Sequence, residues 1–280
     1  MKLVRFEDEG VARLGAVVGD SIRPILGFSK MIALIEAGQA GLAQVKAETD
    51  FAVQNVPLAQ ATLLAPIERP GKYLAIGMNY ARHLEEADKL GVARAKHQTW
   101  FNKQTSCITG PFDLIEPGVT EKLDYEVELA AVIGRPTKRV SEEEARDHVF
   151  GYMVANDVSA RDWQFHTPTF TMGKSFDTHG PIGPWIVTTD EVSDPHALDL
   201  RSYVNGELRQ SNNTANMIHN LWQQIAYLST AFTLDPGDLI ATGTPEGVGV
   251  GMEPQQFLKP GDVVRCEIDG IGAIENRVAG

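Results

Sequence analysis

The sequence predicts an α+β chain dominated by strands, with a small N-terminal α/β domain over residues 1–70 and a larger, mostly β body over 71–280. Short runs of β-branched and aromatic residues, bounded by Gly, Pro or Asp, recur along the larger part. Two dipeptides, Asn205-Gly206 and Asp269-Gly270, supply the positive φ of type I′ hairpin turns. One convincing helix interrupts this pattern: after Thr214 as N-cap, Met217, Ile218, Leu221, Ile225 and Leu228 fall on one stripe at helical spacing.

In chain order, Leu3-Val4-Arg5-Phe6 and Ala16-Val17-Val18 read as short strands. The stretch from Ser29 to Gly38 reads as an amphipathic helix, capped at its start and stopped by glycine. Ala65-Pro66-Ile67-Glu68-Arg69-Pro70-Gly71 carries two prolines and a glycine, and it marks the domain boundary. Beyond it, residues 72–76, 127–133, 151–155 and 185–188 read as strands. Pro236-Gly237-Asp238 and Pro260-Gly261-Asp262 each precede an apolar strand, and Pro-Gly suits the centre of a type II turn.

Composition limits the functions available. The chain has 280 residues, 43% hydrophobic and 22% charged, which is the balance of a compact globule. Lys and Arg number 25 against 37 Asp and Glu, a net charge of −12, so the surface repels nucleic-acid phosphates and anionic lipid. No run of 18 apolar residues is present, and acidic residues enter at Glu7 and Asp8, too early for a secretory signal; a cytoplasmic address is expected. Cys107 and Cys266 lie far apart with no ligand spacing around them, so two buried thiols are expected rather than a disulfide or a zinc site.

Four sets of groups could do chemistry, the first of them drawn from two segments. In Asp124-Tyr125-Glu126-Val127-Glu128, a strand places Glu126 and Glu128 side by side in a segment apolar enough to be buried. Adjacent buried carboxylates must be protonated, paired with cations or bound to a metal; the alternative is a solvated edge strand. Asp157, ending the strand-like Gly151-Tyr152-Met153-Val154-Ala155-Asn156, could complete a three-oxygen set suited to Mg²⁺, Mn²⁺ or Ca²⁺ rather than zinc. After Gly77-Met78, Asn79 is a fair N-cap, and it would put His83 and Glu86 at i and i+3 on one helical face. A carboxylate on one imidazole nitrogen leaves the other free to accept a proton; an incidental surface pair would look the same.

The third, Gly173-Lys174-Ser175, fails as a phosphate loop because Pro168 stands where the pattern needs glycine. Lys174 remains either a buried cation for a substrate oxygen or an ordinary surface lysine. The fourth, from Ala241 to Gly249, is glycine-dense but does not open a helix in the dinucleotide-binding pattern. It could offer backbone N–H groups or the Thr244 hydroxyl to an anion, or be a structural turn. No G-x-S-x-G elbow is present.

Taken together and in this order, these segments resemble the fumarylacetoacetate hydrolase family. The matching stretches are Gly77-Met78-Asn79-Tyr80 with His83 and Glu86, Asp124-Tyr125-Glu126-Val127-Glu128-Leu129, Asn156-Asp157-Val158-Ser159-Ala160-Arg161-Asp162, Gly173-Lys174-Ser175-Phe176-Asp177, and Thr242-Gly243-Thr244-Pro245 with Gly247-Val248-Gly249. The resemblance spans about residues 70 to 280. It implies a mixed β-sandwich roll in which Glu126, Glu128 and Asp157 hold Mg²⁺ or a similar ion. It also implies His83 and Glu86 as a catalytic pair on a short lid helix, Lys174 as a substrate contact, Arg161 and Gln164 as polar groups facing substrate, and Thr244 in the loop around the substrate's carboxylate end. Relatives of this length carry a small N-terminal domain and commonly form homodimers.

The chemistry so implied is metal-dependent C–C bond hydrolysis of a 2,4-dioxo acid, an acylpyruvate or a diketo-deoxy sugar acid, to pyruvate and a second acid. Relatives use related chemistry for oxaloacetate decarboxylation and for isomerisation of hydroxy-dienedioates. Only hydrolysis needs a positioned water, and the His-Glu pair favours it. A metal-binding structural protein without turnover is the alternative outside enzymology.

Overall fold

The computed structural model describes residues 1–52, 55–89, 91 and 95–280. One mixed sheet of 12 strands runs, from edge to edge, through Val56–Pro57, Ser21–Pro24, Val11–Val18, Lys2–Asp8, Gly180–Thr188, Val149–Asn156, Val127–Ile133, Leu239–Ala241, Tyr73–Gly77 and Thr99–Lys103, with two short strands pairing beside this path. An antiparallel sheet of 4 strands, Glu207–Asn213, Asp199–Val204, Val263–Ile268 and Gly272–Arg277, packs against one face. Helix Leu221–Ala231 closes the same core with Leu221, Ile225 and Leu228.

Strand Val127–Ile133 sits at the centre and is buried along its whole length. Its odd-numbered side chains, Val127, Leu129, Ala131 and Ile133, enter the core shared with the small sheet. Its even-numbered Ala130 and Val132 enter a second core with Phe101, Met153 and Ile182. Burial on both faces removes any polar alternation, which is why the segment reads as a continuous apolar run. Glu128 belongs to the even-numbered side, and Glu126 lies just before the strand.

The N-terminal lobe is continuous with this sheet. Lys2 and Leu3 pair antiparallel with Val187 and Ile186, and Leu3, Leu14, Met31, Leu34 and Ile35 join the core of Ala130 and Val132. Residues 65–71 carry neither helix nor strand.

Several local expectations are met. Asn205 and Gly206 both take positive φ (52° and 82°), as a type I′ turn needs. Both Pro-Gly turns close with hydrogen bonds of 3.0 Å, Asp238 N to Asp235 O and Asp262 N to Lys259 O. Cys107 and Cys266 are buried free thiols. Among the described residues no helix is long and apolar enough to cross a membrane.

Others are corrected. The helical stretch Met31–Asp50 is two helices: Gly38, non-helical at φ 54°, stops the first as expected, a second follows with Gly41, Val45 and Thr49 buried, and Ser29 makes no cap. At Asp269-Gly270 only the glycine has positive φ, and the pair Ile268 and Gly272 brackets a three-residue loop instead of a type I′ turn. Thr214 spends its hydroxyl on Leu198 N, and the later helix is capped by Asn220 in a reciprocal box with Gln223 (3.0 and 3.1 Å). Met217 and Ile218 therefore precede it.

Asn79 is corrected as well. It is fully buried, and its side chain binds away from helix Ala81–Lys89: Nδ2 donates to Thr242 O (2.8 Å) and His219 O (3.0 Å), and Oδ1 accepts from His219 N (2.9 Å). It ties the entrance of that helix to two distant segments. Asn79→Ala leaves a buried backbone N–H without a partner and is expected to cost about 1–3 kcal/mol. Urea unfolding should show a lower midpoint at unchanged slope; an unmoved midpoint would mean that these bonds anchor nothing.

Candidate active site

Two strands ending side by side bring the carboxylates together. Asp157 follows strand Val149–Asn156 by one residue, and its N–H donates to Glu126 O (2.9 Å), while Glu126 N donates to Asn156 Oδ1 (3.0 Å). This pairing turns Glu126, Glu128 and Asp157 toward one point, with one oxygen of each within 4.8 Å of the others.

All three are buried, so their charge must be met locally. Lys174 Nζ donates to Glu126 Oε2 (2.9 Å) and Asp157 Oδ2 (2.7 Å). Lys103 Nζ donates to Asp157 Oδ1 (2.6 Å) and to the carbonyl of Lys174 (2.5 Å). Arg161 places Nη2 2.7 Å from Glu126 Oε1 and binds Asp124 through Nε (2.8 Å). Burial alone would push the Glu126 carboxyl up, but Lys174 and Arg161 outweigh it and hold the group down at about 2. Glu128 goes the other way. Burial, reinforced by Asp157 and Glu126, pushes its carboxyl well above the usual range, and among the described residues it has no cation at ion-pair distance.

The glycine-dense segment explains how these acids are held. Gly243 N donates to Glu128 Oε2 (2.9 Å), Gly247 N to Glu86 Oε1 (2.9 Å), and Gly249 N and Val250 N to the two oxygens of Asp124 (2.8 and 3.0 Å). The anions that this loop binds are the chain's own carboxylates. The close approach demands glycine: a Cβ on Gly247 would lie 2.1 Å from Arg209 O, and one on Gly249 1.9 Å from Gln256 O.

The other expected residues gather on one cavity of about 270 Å³, which Glu126, His83, Glu86, Lys174, Arg161, Gln164 and Thr244 line. His83 Nδ1 and Glu86 Oε2 are 3.1 Å apart, at the expected i,i+3 spacing. Gln164 Oε1 accepts from Arg161 Nη1 (3.0 Å), so these two side chains hold each other. The Thr244 hydroxyl already donates to Val127 O (3.0 Å) and accepts from Gln210 Nε2 (2.8 Å), which leaves it no proton for a substrate carboxylate.

Two contributors escape the sequence reading. Lys103 is a buried lysine in line with the buried Phe101 on strand Thr99–Lys103, and that i,i+2 coincidence was its one signal. Asp124 lies in the acidic stretch itself, and only the tertiary contacts show it anchoring Arg161.

A profile of the fumarylacetoacetate hydrolase C-terminal domain matches residues 72–279. The chain belongs to the fumarylacetoacetate hydrolase family. A second profile, for the N-terminal domain of Rv2993c-like proteins, matches residues 1–66. The mitochondrial oxaloacetate tautomerase of Xenopus laevis is 44% identical over 290 residues, covering 99% of this chain and 90% of its own length. Among solved structures, a fumarylacetoacetate hydrolase from the psychrophile Exiguobacterium antarcticum is 39% identical with a TM-score of 0.89, covering 100% of this chain and 99% of its own. Maleylpyruvate hydrolase from Sphingobium sp. SYK-6, in complex with manganese(II) and pyruvate, is 34% identical with a TM-score of 0.84 at the same coverage.

The donor set of this family member fits a hard divalent cation. Four buried carboxylates, Asp124, Glu126, Glu128 and Asp157, face three buried cations, Lys103, Arg161 and Lys174, which leaves one negative charge in excess at Glu128. The buried acidic triad could bind a divalent metal, and its all-oxygen donors suit Mg²⁺ or Mn²⁺.

A proton and a metal ion therefore compete for Glu128. Its raised carboxyl keeps a proton at pH values above the ordinary carboxylate range, and a cation must expel that proton to bind. Apparent metal affinity should weaken as pH falls, by up to about tenfold per unit below the carboxyl's folded-state value. Titration calorimetry in buffers of different ionisation enthalpy should show proton release; none would place the ion elsewhere. Glu128→Ala should lower ion affinity while preserving the metal-free fold, since the remaining anions repel less. Binding of Mg²⁺ as tight as the parent's would remove Glu128 from the ligand set.

Proposed function

We propose that the chain is a Mg²⁺- or Mn²⁺-dependent hydrolase that cleaves the C3–C4 bond of a 2,4-dioxo acid to pyruvate and a second carboxylic acid. One observation carries the reading: Glu126, a member of the carboxylate triad, lines the same cavity as the His83–Glu86 pair. With Glu126, Glu128 and Asp157 as ligands, a divalent ion would supply Lewis acidity to a 2-oxo acid and counter the negative charge that develops on it. It would also turn the one excess negative charge of the buried cluster of four carboxylates and three cations into one positive, which suits the carboxylate of a 2-oxo acid.

The chain's own residues supply the proton chemistry. Glu86, itself fixed by Gly247 N, holds His83 through Nδ1 and leaves Nε2 to take a proton from water. The water oxygen attacks C4, and the C3–C4 bond breaks with its electron pair on C3, giving the enolate of pyruvate and the acid of the acyl group. The enolate takes its C3 proton from solvent, and the proton held by His83 passes back to solvent. Lys174, held between Glu126 and Asp157, sets its ammonium group beside the path of that electron pair.

A second reading is keto–enol interconversion of oxaloacetate. The observation favouring it is the 44% identity to an oxaloacetate tautomerase along 99% of the chain. It needs proton transfer at C3 and no attacking water. Initial rates of pyruvate release from acylpyruvates, diketo-deoxy sugar acids and oxaloacetate, beside the loss of enol absorbance from oxaloacetate, separate the two. Enol loss without pyruvate from any 2,4-dioxo acid would replace hydrolysis with tautomerisation.

His83→Ala should reduce acylpyruvate cleavage by about 10²–10⁴-fold, the usual cost of removing a general base. Metal affinity should not change. Glu86→Gln should lie between parent and His83→Ala, because the amide still holds the ring but cannot raise its basicity. Oxaloacetate decarboxylation, which needs no attacking water, should suffer much less. Equal losses on both substrates would make His83 a proton donor to substrate carbon in each, and hydrolysis would lose its support.

A further inference from the structure

Away from the acids, the cavity is walled by large apolar side chains, among them Met78, Phe101, Phe165, Phe170 and Val250. Two of these are held in unusual backbone. Six described residues other than glycine take positive φ; Glu9, Arg139, Thr178 and Asn205 are polar, whereas Met78 (φ 58°) and Phe170 (φ 60°) are large and apolar. The left-handed region is costly for such a side chain, and strain of this kind gathers where function requires it. Both residues line the cavity. Met78 is flanked by the anchored Asn79, and Phe170 is locked edge-to-face with Phe101 (6.0 Å) and Phe165 (5.5 Å).

Resting on the hydrolytic reading, we propose that Met78 and Phe170 form an acyl-side wall that selects 2,4-dioxo acids whose acyl group is an apolar hydrocarbon. Charge points the same way. With an ion bound, one substrate carboxylate neutralises the buried carboxylate cluster, and a second one against Met78 and Phe170 would be partly desolvated without a partner, on a cavity that Glu86 also lines. The net charge of −12 also disfavours a dianion. Lys122 and Gln255 line the cavity from exposed positions, where water screens the lysine, and the cavity's Arg161 and Lys174 are already paired with Glu126.

The test compares kcat/KM for acetylpyruvate, benzoylpyruvate and a 2,4-dioxoheptanedioate in parent, Phe170→Gly, Phe170→Asn, Met78→Gly and Lys122→Ala proteins. Benzoylpyruvate should lead. Phe170→Gly and Met78→Gly should lower the ratio of benzoylpyruvate to acetylpyruvate by about tenfold or more, chiefly through KM, as loss of apolar contact does. Glycine and asparagine both accept positive φ, so Phe170→Asn, confirmed folded by thermal melting, keeps the backbone while removing the apolar face and should behave alike. Unchanged ratios in the folded variants, or a preference for the diacid that Lys122→Ala abolishes, would overturn the proposal. Calorimetry on the Mg²⁺-loaded parent separates this failure from that of hydrolysis itself. Tighter binding of 2-oxo-4-phenylbutanoate than of 2-oxoadipate supports the wall even without turnover, and the reverse order refutes it.

Discussion

Four carboxylates taken out of water within one small region are the constraint on which the structure around the site depends. Left alone, such a cluster would take up protons or pull apart. Here Lys103, Arg161 and Lys174 meet three of the charges, and the N–H groups of Gly243, Gly249 and Val250 meet Glu128 and Asp124. The charge left over at Glu128 is the reason that the cluster suits a divalent cation. Breaking any one of these pairs leaves a buried charge alone, which costs far more than the pair contributes.

The same loop links the carboxylate triad to the His83–Glu86 pair. Residues 243–250 touch Glu128 through one N–H and Glu86 through another, and an exposed ion pair between Arg82 and Glu246 adds to the attachment of helix Ala81–Lys89. His83 is therefore positioned by the segment that also orients Glu128. Asn79 adds a second tie, from the entrance of that helix to Thr242 and His219. Chemistry that needs a base and a chelated substrate in fixed relation benefits from both parts resting on one rigid loop.

Rigidity comes from the sheet. Strand Val127–Ile133 is buried on both faces, so a shift in its register would displace two cores at once. Its partner Val149–Asn156 is equally buried. The carboxylates stand at the ends of these two strands, where backbone order is high and side chains can still reach a cavity.

Local chemistry was legible wherever it is set by neighbours in sequence. The strands around residues 74, 130, 153 and 187, the Pro-Gly turns, the Asn205-Gly206 hairpin, and the spacing that puts Glu126 beside Glu128 and His83 beside Glu86 follow from side-chain periodicity and backbone φ. What failed was capping. Asn79 and Thr214 look like caps in sequence, but their polar groups found distant partners in Thr242, His219 and Leu198. Gly38 does stop its helix, but nothing local announced the second helix that follows it to Asp50. Lys103, separated from Asp157 by 54 residues, and Asp124, separated from Gly249 by 125, were invisible as site components because nothing local marks a charge whose partner is supplied by another strand. The sequence by itself determined which acids, bases and turns the chain possesses. Only the tertiary structure decided which charges meet, since desolvation and Coulomb energy depend on distance in space and not along the chain.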